Sequence, residues 1–228
     1  MSRPAKYVAD DGTRLPSVTE LINELGWNKE SLFRWADKLA REGKSPIMER
    51  DAAARRGTQV HALIDWVEDS DDELTQPSTS LDADRAYQAW YRWRVTQSIE
   101  PLLREQPMIN TMLGYAGTPD LIGIVDDRVT VFDWKTATKH RPPYLEHIIQ
   151  VTAYAQLWNA QEASIGGTRF ATHGMLVKLA PDAEGNWSAK PSSWPLDAFG
   201  VVPTWIIQAC LNLRRAREAM QRRASEVF

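Results

Sequence analysis

Residues 117–137 read GTPDLIGIVDDRVTVFDWKTA and contain two apolar runs separated by the short polar sequence DDR. Apolar and β-branched runs on either side of a turn signal predict two antiparallel strands joined by a tight hairpin. Side chains two positions apart on a strand share a face, so Asp133 and Lys135 project together while Trp134 points into the core. Asp120 is expected near the end of the preceding strand, across the hairpin and within reach of that pair.

Two carboxylates beside a lysine form a site of hard oxygen ligands suited to Mg²⁺ or Mn²⁺. A bound divalent cation lowers the pKa of a coordinated water, and Lys135 can orient or help deprotonate that water and stabilise charge growing on a phosphate. A D-x-K pair alone is more often an ordinary surface ion pair. The surrounding sequence has to decide between these two interpretations.

The composition indicates a folded globular chain. With 228 residues and 43% hydrophobic content, the chain can bury a substantial core. Cys210 is its single cysteine, which excludes an internal disulfide framework and favours a reducing, cytoplasmic compartment. No apolar stretch approaches the roughly 20 residues needed to span a bilayer, so no membrane association is expected.

The formal net charge of −3 argues against a uniformly basic nucleic-acid-binding surface, but the charge is unevenly distributed. Residues 205–228 hold five arginines and two glutamates, which gives this segment +3 and leaves −6 for residues 1–204. Such a cluster is either a solvated helix face, the commoner case, or a phosphate-binding surface. The acidic run EDSDDE, residues 68–73, is predicted to be an exposed loop.

The first hundred residues show helical periodicity. The first predicted helix lies in PSVTELINELG, where Ser17 and Glu20 have the spacing of a capping box, and the second lies in ESLFRWADKLAREG. A third, longer helix is predicted in SPIMERDAAARRGTQVHALIDWVE and a fourth at residues 81–97. Gly57 lies inside the third helix, where glycine costs about 1 kcal/mol relative to alanine, and this suggests a close approach by another backbone.

From residue 102 onward the pattern changes to short apolar runs. LLREQPMIN, YAGTPDLIGIV and RVTVFDW are predicted to be consecutive antiparallel strands. PPYLEHIIQVTAYAQLWNA is predicted to be a helix, and FATHGMLVKL a further strand. GNWSAKPSSWP is either a hairpin or a loop, and residues 203–225 are predicted to form a terminal amphipathic helix.

Five sequence elements occur in an order that resembles the PD-(D/E)XK nuclease superfamily and, within it, the RecB-like exonucleases. The elements are the N-terminal helices in LPSVTELI and SLFRWADKLAREG, then RGTQVHALID, GYAGTPDLIG, VFDWKT and QVTAY. The N-terminal helices are similar in placement to those of phage and mitochondrial genome-maintenance exonucleases. The resemblance covers about residues 7–160, and the ordered set is far more specific than any one element.

The resemblance implies an α/β fold with a mixed, mostly antiparallel central sheet flanked by helices, as in restriction endonucleases. The N-terminal helices would form a wall over the site. Residues 1–100 would be the helical part that carries the G-x-x-x-H element, and residues 101–228 the nuclease core with the C-terminal helix. No linker separates the two parts, so one integrated domain is expected.

Carried over residue by residue, the resemblance makes Asp120 and Asp133 catalytic, metal-binding carboxylates. Lys135 becomes the catalytic lysine. The backbone carbonyl of Trp134 would complete one side of the metal shell.

Further site residues come from the flanking elements. His61 would be a metal ligand from the third helix, and a shell containing its imidazole would suit Mn²⁺ somewhat better than Mg²⁺. Glu105 corresponds to the family's upstream glutamate, as a ligand or as a residue acting behind the ligands. Gln150 and Tyr154 lie four residues apart on one helix face and, with Gly57, are predicted to bind DNA.

The function implied is that of a Mg²⁺- or Mn²⁺-dependent DNA exonuclease with one or two ions, which prefers single-stranded or frayed ends. DNA repair, recombination, replication or phage DNA metabolism would be its setting, and a recombination or single-strand-binding protein is a candidate partner. The expected location is the cytoplasm of a bacterial or phage-infected cell. One cysteine cannot supply an iron–sulfur cluster.

Two alternatives share the same motifs. A structure-specific or restriction-type endonuclease would use the same carboxylates and lysine. A non-catalytic DNA-binding subunit on a nuclease scaffold usually lacks an acid or the lysine, and none is missing here.

Overall fold

The computed structural model describes residues 7–68 and 77–227 of the chain. Within those ranges six α-helices are present: α1 (Val18–Asn23), α2 (Lys29–Arg41), α3 (Pro46–Glu68), α4 (Leu81–Arg94), α5 (Leu145–Ser164) and α6 (Val202–Val227). A short 3-10 helix, Leu196–Phe199, precedes α6. None of the helices in the described ranges has the length and apolar character needed to cross a membrane.

The strands form one central sheet and two short pairs. They are β1 (Tyr7–Val8), β2 (Arg14–Leu15), β3 (Glu100–Arg104), β4 (Met108–Asn110), β5 (Tyr115–Gly117), β6 (Leu121–Val125), β7 (Arg128–Thr136), β8 (His173–Pro181) and β9 (Trp187–Pro195). The central sheet has the order β3-β6-β7-β8-β9, while β1 pairs with β2 and β4 with β5. Only the β7–β8 pairing in the central sheet is parallel, so the predicted mixed, mostly antiparallel sheet is confirmed.

Helices cover both faces of the central sheet. On one face Ile122, Val131 and Leu176 join a core cluster that includes residues of α1, α5 and α6. The alternate strand residues, among them Phe132 and Trp134, join a second cluster with α3 and α4. The prediction that Trp134 points into the core is therefore confirmed, and Asp133 and Lys135 belong to the opposite face of β7.

Local sequence signals are found where they were expected. The Ser17 hydroxyl accepts from the Glu20 backbone N–H at 3.0 Å, and a Glu20 carboxylate oxygen accepts from the Ser17 backbone N–H at 2.8 Å, which completes the capping box. The β6–β7 hairpin closes through Asp126 and Asp127, whose φ angles of 49° and 58° suit a two-residue hairpin turn. Aspartate tolerates this left-handed region better than most residues.

Two of the predicted strands are each broken in two. The stretch 102–110 divides between β3 and β4, and the stretch 115–125 divides between β5 and β6. Pro107 and Pro119 have no backbone N–H to donate to a ladder, and Glu105 adopts a positive φ of 42°. Asp120 consequently lies directly before β6, at the terminus of that strand that faces Trp134 across the hairpin.

The other differences concern element ends. Residues 187–195 form β9, which pairs antiparallel with β8, so this segment is a hairpin strand and not a loop. The fourth helix ends at Arg94, earlier than the predicted Gln97.

The arginines of the terminal helix are partly used inside the fold. Arg217 makes two 2.6 Å hydrogen bonds to the Glu24 carboxylate, and Arg214 lies 3.5 Å from a Glu20 carboxylate oxygen. These contacts tie α6 to the α1 region, which neither of the two interpretations of the basic cluster anticipated.

Only the first residue of the acidic run lies within the described residues. Glu68 ends α3 and forms ion pairs with Arg94 at 2.9 Å and Arg104 at 2.7 Å, so the exposed-loop prediction is wrong for this residue. Residues 69–73 lie outside the described ranges.

Candidate metal centre and active site

Three predicted site residues from separate elements converge at one end of the central sheet. His61 comes from α3, Glu105 follows β3 and Asp120 precedes β6. His61 Nδ1 lies 3.4 Å from Glu105 Oε1 and 3.5 Å from Asp120 Oδ1. Their ligand atoms all lie within 4.8 Å of one another, a spacing that allows all three to bind one cation.

The strand breaks place the two acids of this cluster. β3 and β6 are antiparallel neighbours with Arg104 opposite Leu121, so the break after β3 and the break before β6 fall at the same edge. The Glu105 backbone N–H donates to the Asp120 carbonyl at 3.3 Å. The left-handed conformation of Glu105 costs on the order of 1–3 kcal/mol. It turns the chain away from the line of β3, and this turn places the Glu105 side chain at the site.

Asp120 connects this cluster to the end of β7. Its Oδ2 accepts a hydrogen bond from the Trp134 backbone N–H at 2.6 Å, while Oδ1 faces His61. The two carboxylate oxygens of Asp120 therefore point to different partners. The carboxylate is almost completely buried, which makes its orientation difficult to change.

Asp133 and Lys135 form a close ion pair next to the cluster. Lys135 Nζ donates to Asp133 Oδ1 at 2.7 Å. Among the described residues, the buried Oδ2 of Asp133 has no hydrogen-bond partner. Burial raises the pKa of Asp133, the Lys135 ammonium opposes that shift, and the neighbouring Asp120 adds to it.

The residues present fit a divalent cation. An unsatisfied buried acceptor such as Asp133 Oδ2 costs about 1–3 kcal/mol, and a cation would satisfy it. One imidazole and several carboxylates form a mixed nitrogen and oxygen donor set that suits a divalent cation. Glu105, predicted as a ligand or as a residue acting behind the ligands, lies in one group with His61 and Asp120.

Gly57 does not lie against another backbone. A Cβ built on it would meet Thr136 Oγ1 at 3.7 Å, which is an ordinary contact, and no other described atom outside its own helix within 4 Å. The explanation by close backbone packing within the chain is therefore wrong. The same distance places this turn of α3 beside the end of β7, directly after Lys135.

Gln150 and Tyr154 contact each other on α5. Gln150 Nε2 donates to the Tyr154 hydroxyl at 3.0 Å. The Tyr154 side chain is buried, and a Cβ on Gly117 would approach its Cε1 to 2.6 Å. Gln150 is partly exposed and can contact a ligand. The buried Tyr154 can contribute to ligand binding by positioning the Gln150 amide.

Two titratable side chains near the site were not predicted as site residues. Asp65 lies one turn after His61 on α3, and burial, together with the charges of Glu105 and Asp120, raises its pKa to about 7. The i, i+4 spacing from His61 was the available sequence signal.

His147 is the second such side chain and lies in the first turn of α5. Burial lowers its pKa to about 4, with Asp133 opposing the shift and Lys135 and Lys178 contributing to it. The sequence carries no comparable signal for this residue, because its neighbours Asp133 and Lys178 lie on two strands far away along the chain.

The mixed central sheet flanked by helices is the core of a class of nucleases that resembles restriction endonucleases. At the adjoining strand ends this sheet carries buried aspartates and a lysine, and α3 contributes a histidine. The chain belongs to the PD-(D/E)XK nuclease superfamily, whose sequence model matches residues 31–220. This confirms the family resemblance. No curated protein is significantly similar to the chain.

Solved structures with a similar arrangement are distant. The crystal structure of SSO0001 is 15% identical, with a TM-score of 0.40 over 86% of this chain and 75% of the other. An alkaline exonuclease, LHK-Exo from Laribacter hongkongensis, is 15% identical, with a TM-score of 0.35 over 75% of this chain and 85% of the other. Its complex with dAMP is 16% identical, with a TM-score of 0.32 over the same shares.

Proposed function

We propose that the protein is a divalent-metal-dependent DNA exonuclease that hydrolyses phosphodiester bonds from free ends. The observation that carries the proposal is the meeting of His61, Glu105 and Asp120 beside the Asp133–Lys135 pair. Buried acids, an imidazole and an ammonium group at this spacing support phosphodiester hydrolysis better than a purely structural role, because the buried Asp133 Oδ2 has no hydrogen-bond partner among the described residues.

The cation, Mg²⁺ or Mn²⁺, would be held by His61, Asp120 and Asp133 with the backbone carbonyl of Trp134. Glu105 lies close enough to His61 to join the ligands or to orient the imidazole. When bound, such a cation supplies a Lewis acid for the phosphate and for the attacking water.

Lys135 has the catalytic role that does not involve holding the metal. Its ammonium group is 2.7 Å from Asp133 Oδ1 and partly exposed, so it can reach a water or a phosphate at the site. In that position its positive charge orients the water, makes the water easier to deprotonate and stabilises the negative charge that grows on the phosphate.

Dependence on free ends is proposed because α3 lies against one side of the site. His61 extends from this helix to Asp120, and Gly57 lies beside the end of β7. A helix in that position narrows the approach, which an unpaired strand tolerates better than a rigid duplex. Single-stranded or frayed termini are therefore the preferred substrates.

The DNA contacts are assigned to the surfaces around this approach. Gly57 leaves space on α3 for the sugar–phosphate backbone, and the partly exposed Gln150 amide, which donates to the Tyr154 hydroxyl, is assigned a contact with DNA from α5. The setting proposed is DNA repair, recombination, replication or phage DNA metabolism in the cytoplasm of a bacterial or phage-infected cell. A recombination or single-strand-binding protein is the proposed partner.

The test uses the purified protein with Mg²⁺ or Mn²⁺ and DNA labelled at either end, alongside a covalently closed single-stranded circle. Linear single strands should be degraded from their ends while circles survive. Rapid cleavage of circles would instead favour the endonuclease alternative. Binding of DNA without cleavage under any divalent cation would indicate a non-catalytic subunit.

A further inference from the structure

A cleft of about 630 Å³ lies between the α1–α2 corner and the start of α5. Residues from both sides line it, including Trp27, Leu32, Arg141, Tyr144, Leu145 and His147. The three described metal-cluster residues are not part of this lining. The cleft is therefore a separate surface feature.

Two aromatic side chains in the cleft remain half exposed. Trp27 and Tyr144 each have 49% of their surface exposed. Large aromatic rings usually stabilise a fold by burial, so their exposure on opposite sides of one cleft leaves ring surface for a ligand. A nucleobase is a flat ligand for such a surface, and stacking on an aromatic side chain does not depend on the base.

The ring of Tyr144 is held in place from within the protein. Lys178 Nζ lies 4.6 Å from its ring centroid and donates to the Pro142 carbonyl at 2.8 Å. The His147 ring lies 5.3 Å away from the same ring. These contacts fix the orientation of Tyr144 before any ligand binds, which lowers the entropy lost on binding.

One cationic side chain of the cleft suits a phosphodiester backbone. Arg141 lines the cleft and is exposed, while Glu146 is the acid of the same lining. A cation beside aromatic rings is a combination with which proteins bind single strands without sequence preference.

The cleft leads to the catalytic side of β7. His147 lines the cleft, and its pKa responds to the charges of both Asp133 and Lys135. Asp133 and Lys135 face the side of the sheet covered by α1 and α5, the same two helices that border the cleft. The cleft and the Asp133–Lys135 pair therefore lie on the same side of the sheet.

We propose that this cleft binds the unpaired strand of a DNA substrate, with bases stacked on Trp27 and Tyr144 and a phosphate paired with Arg141. The inference rests on the proposed nuclease function and adds to it the path of the strand. It assigns to Trp27 and Tyr144 the preference for single-stranded over paired ends.

The test measures binding in EDTA, where cleavage is blocked, with a fluorescein-labelled oligo(dT) and a blunt hairpin duplex. Trp27→Ala and Tyr144→Ala should each weaken oligo(dT) binding roughly tenfold or more, with less than about a twofold change for the duplex. Arg141→Ala should reduce the slope of the logarithm of the oligo(dT) binding constant against the logarithm of salt concentration by about 1, which corresponds to one lost phosphate contact. Trp205→Ala, which removes a 65% exposed tryptophan on α6, is the matched control and should bind like the wild type.

The outcomes separate the two proposals. If the wild type degrades DNA but Trp27→Ala and Tyr144→Ala bind oligo(dT) normally, the cleft assignment is overturned and the nuclease proposal stands. Equal losses for oligo(dT) and duplex would also overturn it, since stacking requires unpaired bases. If the wild type neither binds nor degrades DNA with any divalent cation, the nuclease proposal fails as well. Thermal unfolding of each variant is the control that checks whether the variant is folded.

Discussion

The carboxylate of Asp120 accepts a 2.6 Å hydrogen bond from the backbone N–H of Trp134. This bond joins the start of β6 to the end of β7 and brings Asp120 beside Asp133, the residue before Trp134. Because the bond is buried, water does not compete for it, and the two acids of the site keep a fixed separation. The backbone of the hairpin thus sets the geometry of the candidate metal centre.

The first prediction concerns the two aspartates. Asp120→Asn and Asp133→Asn should each abolish cleavage and weaken Mn²⁺ binding severalfold or more, because each removes a negative charge at the cation. Titration calorimetry measures the binding, and an end-labelled strand measures the cleavage. Glu184→Ala, which changes an exposed acid in the β8–β9 turn, should alter neither measurement. Retained activity in either aspartate variant would contradict the assignment.

Lys135 should behave differently from the acids. Lys135→Ala should lower the single-turnover rate about 10²–10⁴-fold while Mn²⁺ and DNA affinities stay close to wild type, since the ammonium group acts on the reacting atoms and binds no metal. Lys139→Ala, on the loop after β7, serves as the control for simple loss of a positive charge. A near-normal rate in Lys135→Ala would mean that the residue forms only an ion pair with Asp133.

Gly57→Ala separates folding from DNA binding. The methyl group would make only a 3.7 Å contact with Thr136 Oγ1, and alanine favours a helix interior by about 1 kcal/mol, so the melting temperature should stay equal or rise. DNA affinity should nevertheless fall, because the space above this turn is assigned to the substrate backbone. Unchanged affinity with a raised melting temperature would remove Gly57 from the binding surface.

Asp65 should make the metal-free protein less stable as the pH rises. Burial raises its pKa to about 7 in the folded state, from an ordinary value of 3.8. Between those values the folded state binds more protons than the unfolded state, so the free energy of unfolding decreases with increasing pH. In EDTA, the melting temperature of Asp65→Asn relative to wild type should therefore rise from pH 4.5 to pH 7.5. A difference that does not change with pH would exclude this ionisation.

His147 should have the opposite effect over a similar range. Burial lowers its pKa to about 4 from 6.5, so between those values the folded state binds fewer protons and gains stability as the pH rises. His147→Gln should lose this gain, and its melting temperature relative to wild type should fall between pH 4.5 and pH 7. Parallel melting curves for the two proteins across this range would contradict the prediction.

The sequence by itself determined the elements and the direction of several site side chains. The period of two along residues 131–135 separates Asp133 and Lys135 from Trp134, since neighbouring strand side chains must point to opposite faces. The capping box at Ser17 and the turn at Asp126–Asp127 were also predictable, because the hydrogen bonds and backbone angles involved are local. The spacing from Gly57 to His61 was informative only through the family resemblance.

The tertiary structure alone decided which of these residues meet. Glu105 and Asp120 reach His61 because two expected strands break at the same edge of the sheet, which depends on the pairing of β3 with β6. The raised pKa of Asp65 likewise depends on burial and on charges brought from other elements. The Trp27–Tyr144 cleft joins residues more than a hundred positions apart. Packing between distant segments has no local period, so the pattern along the chain could not reveal these contacts.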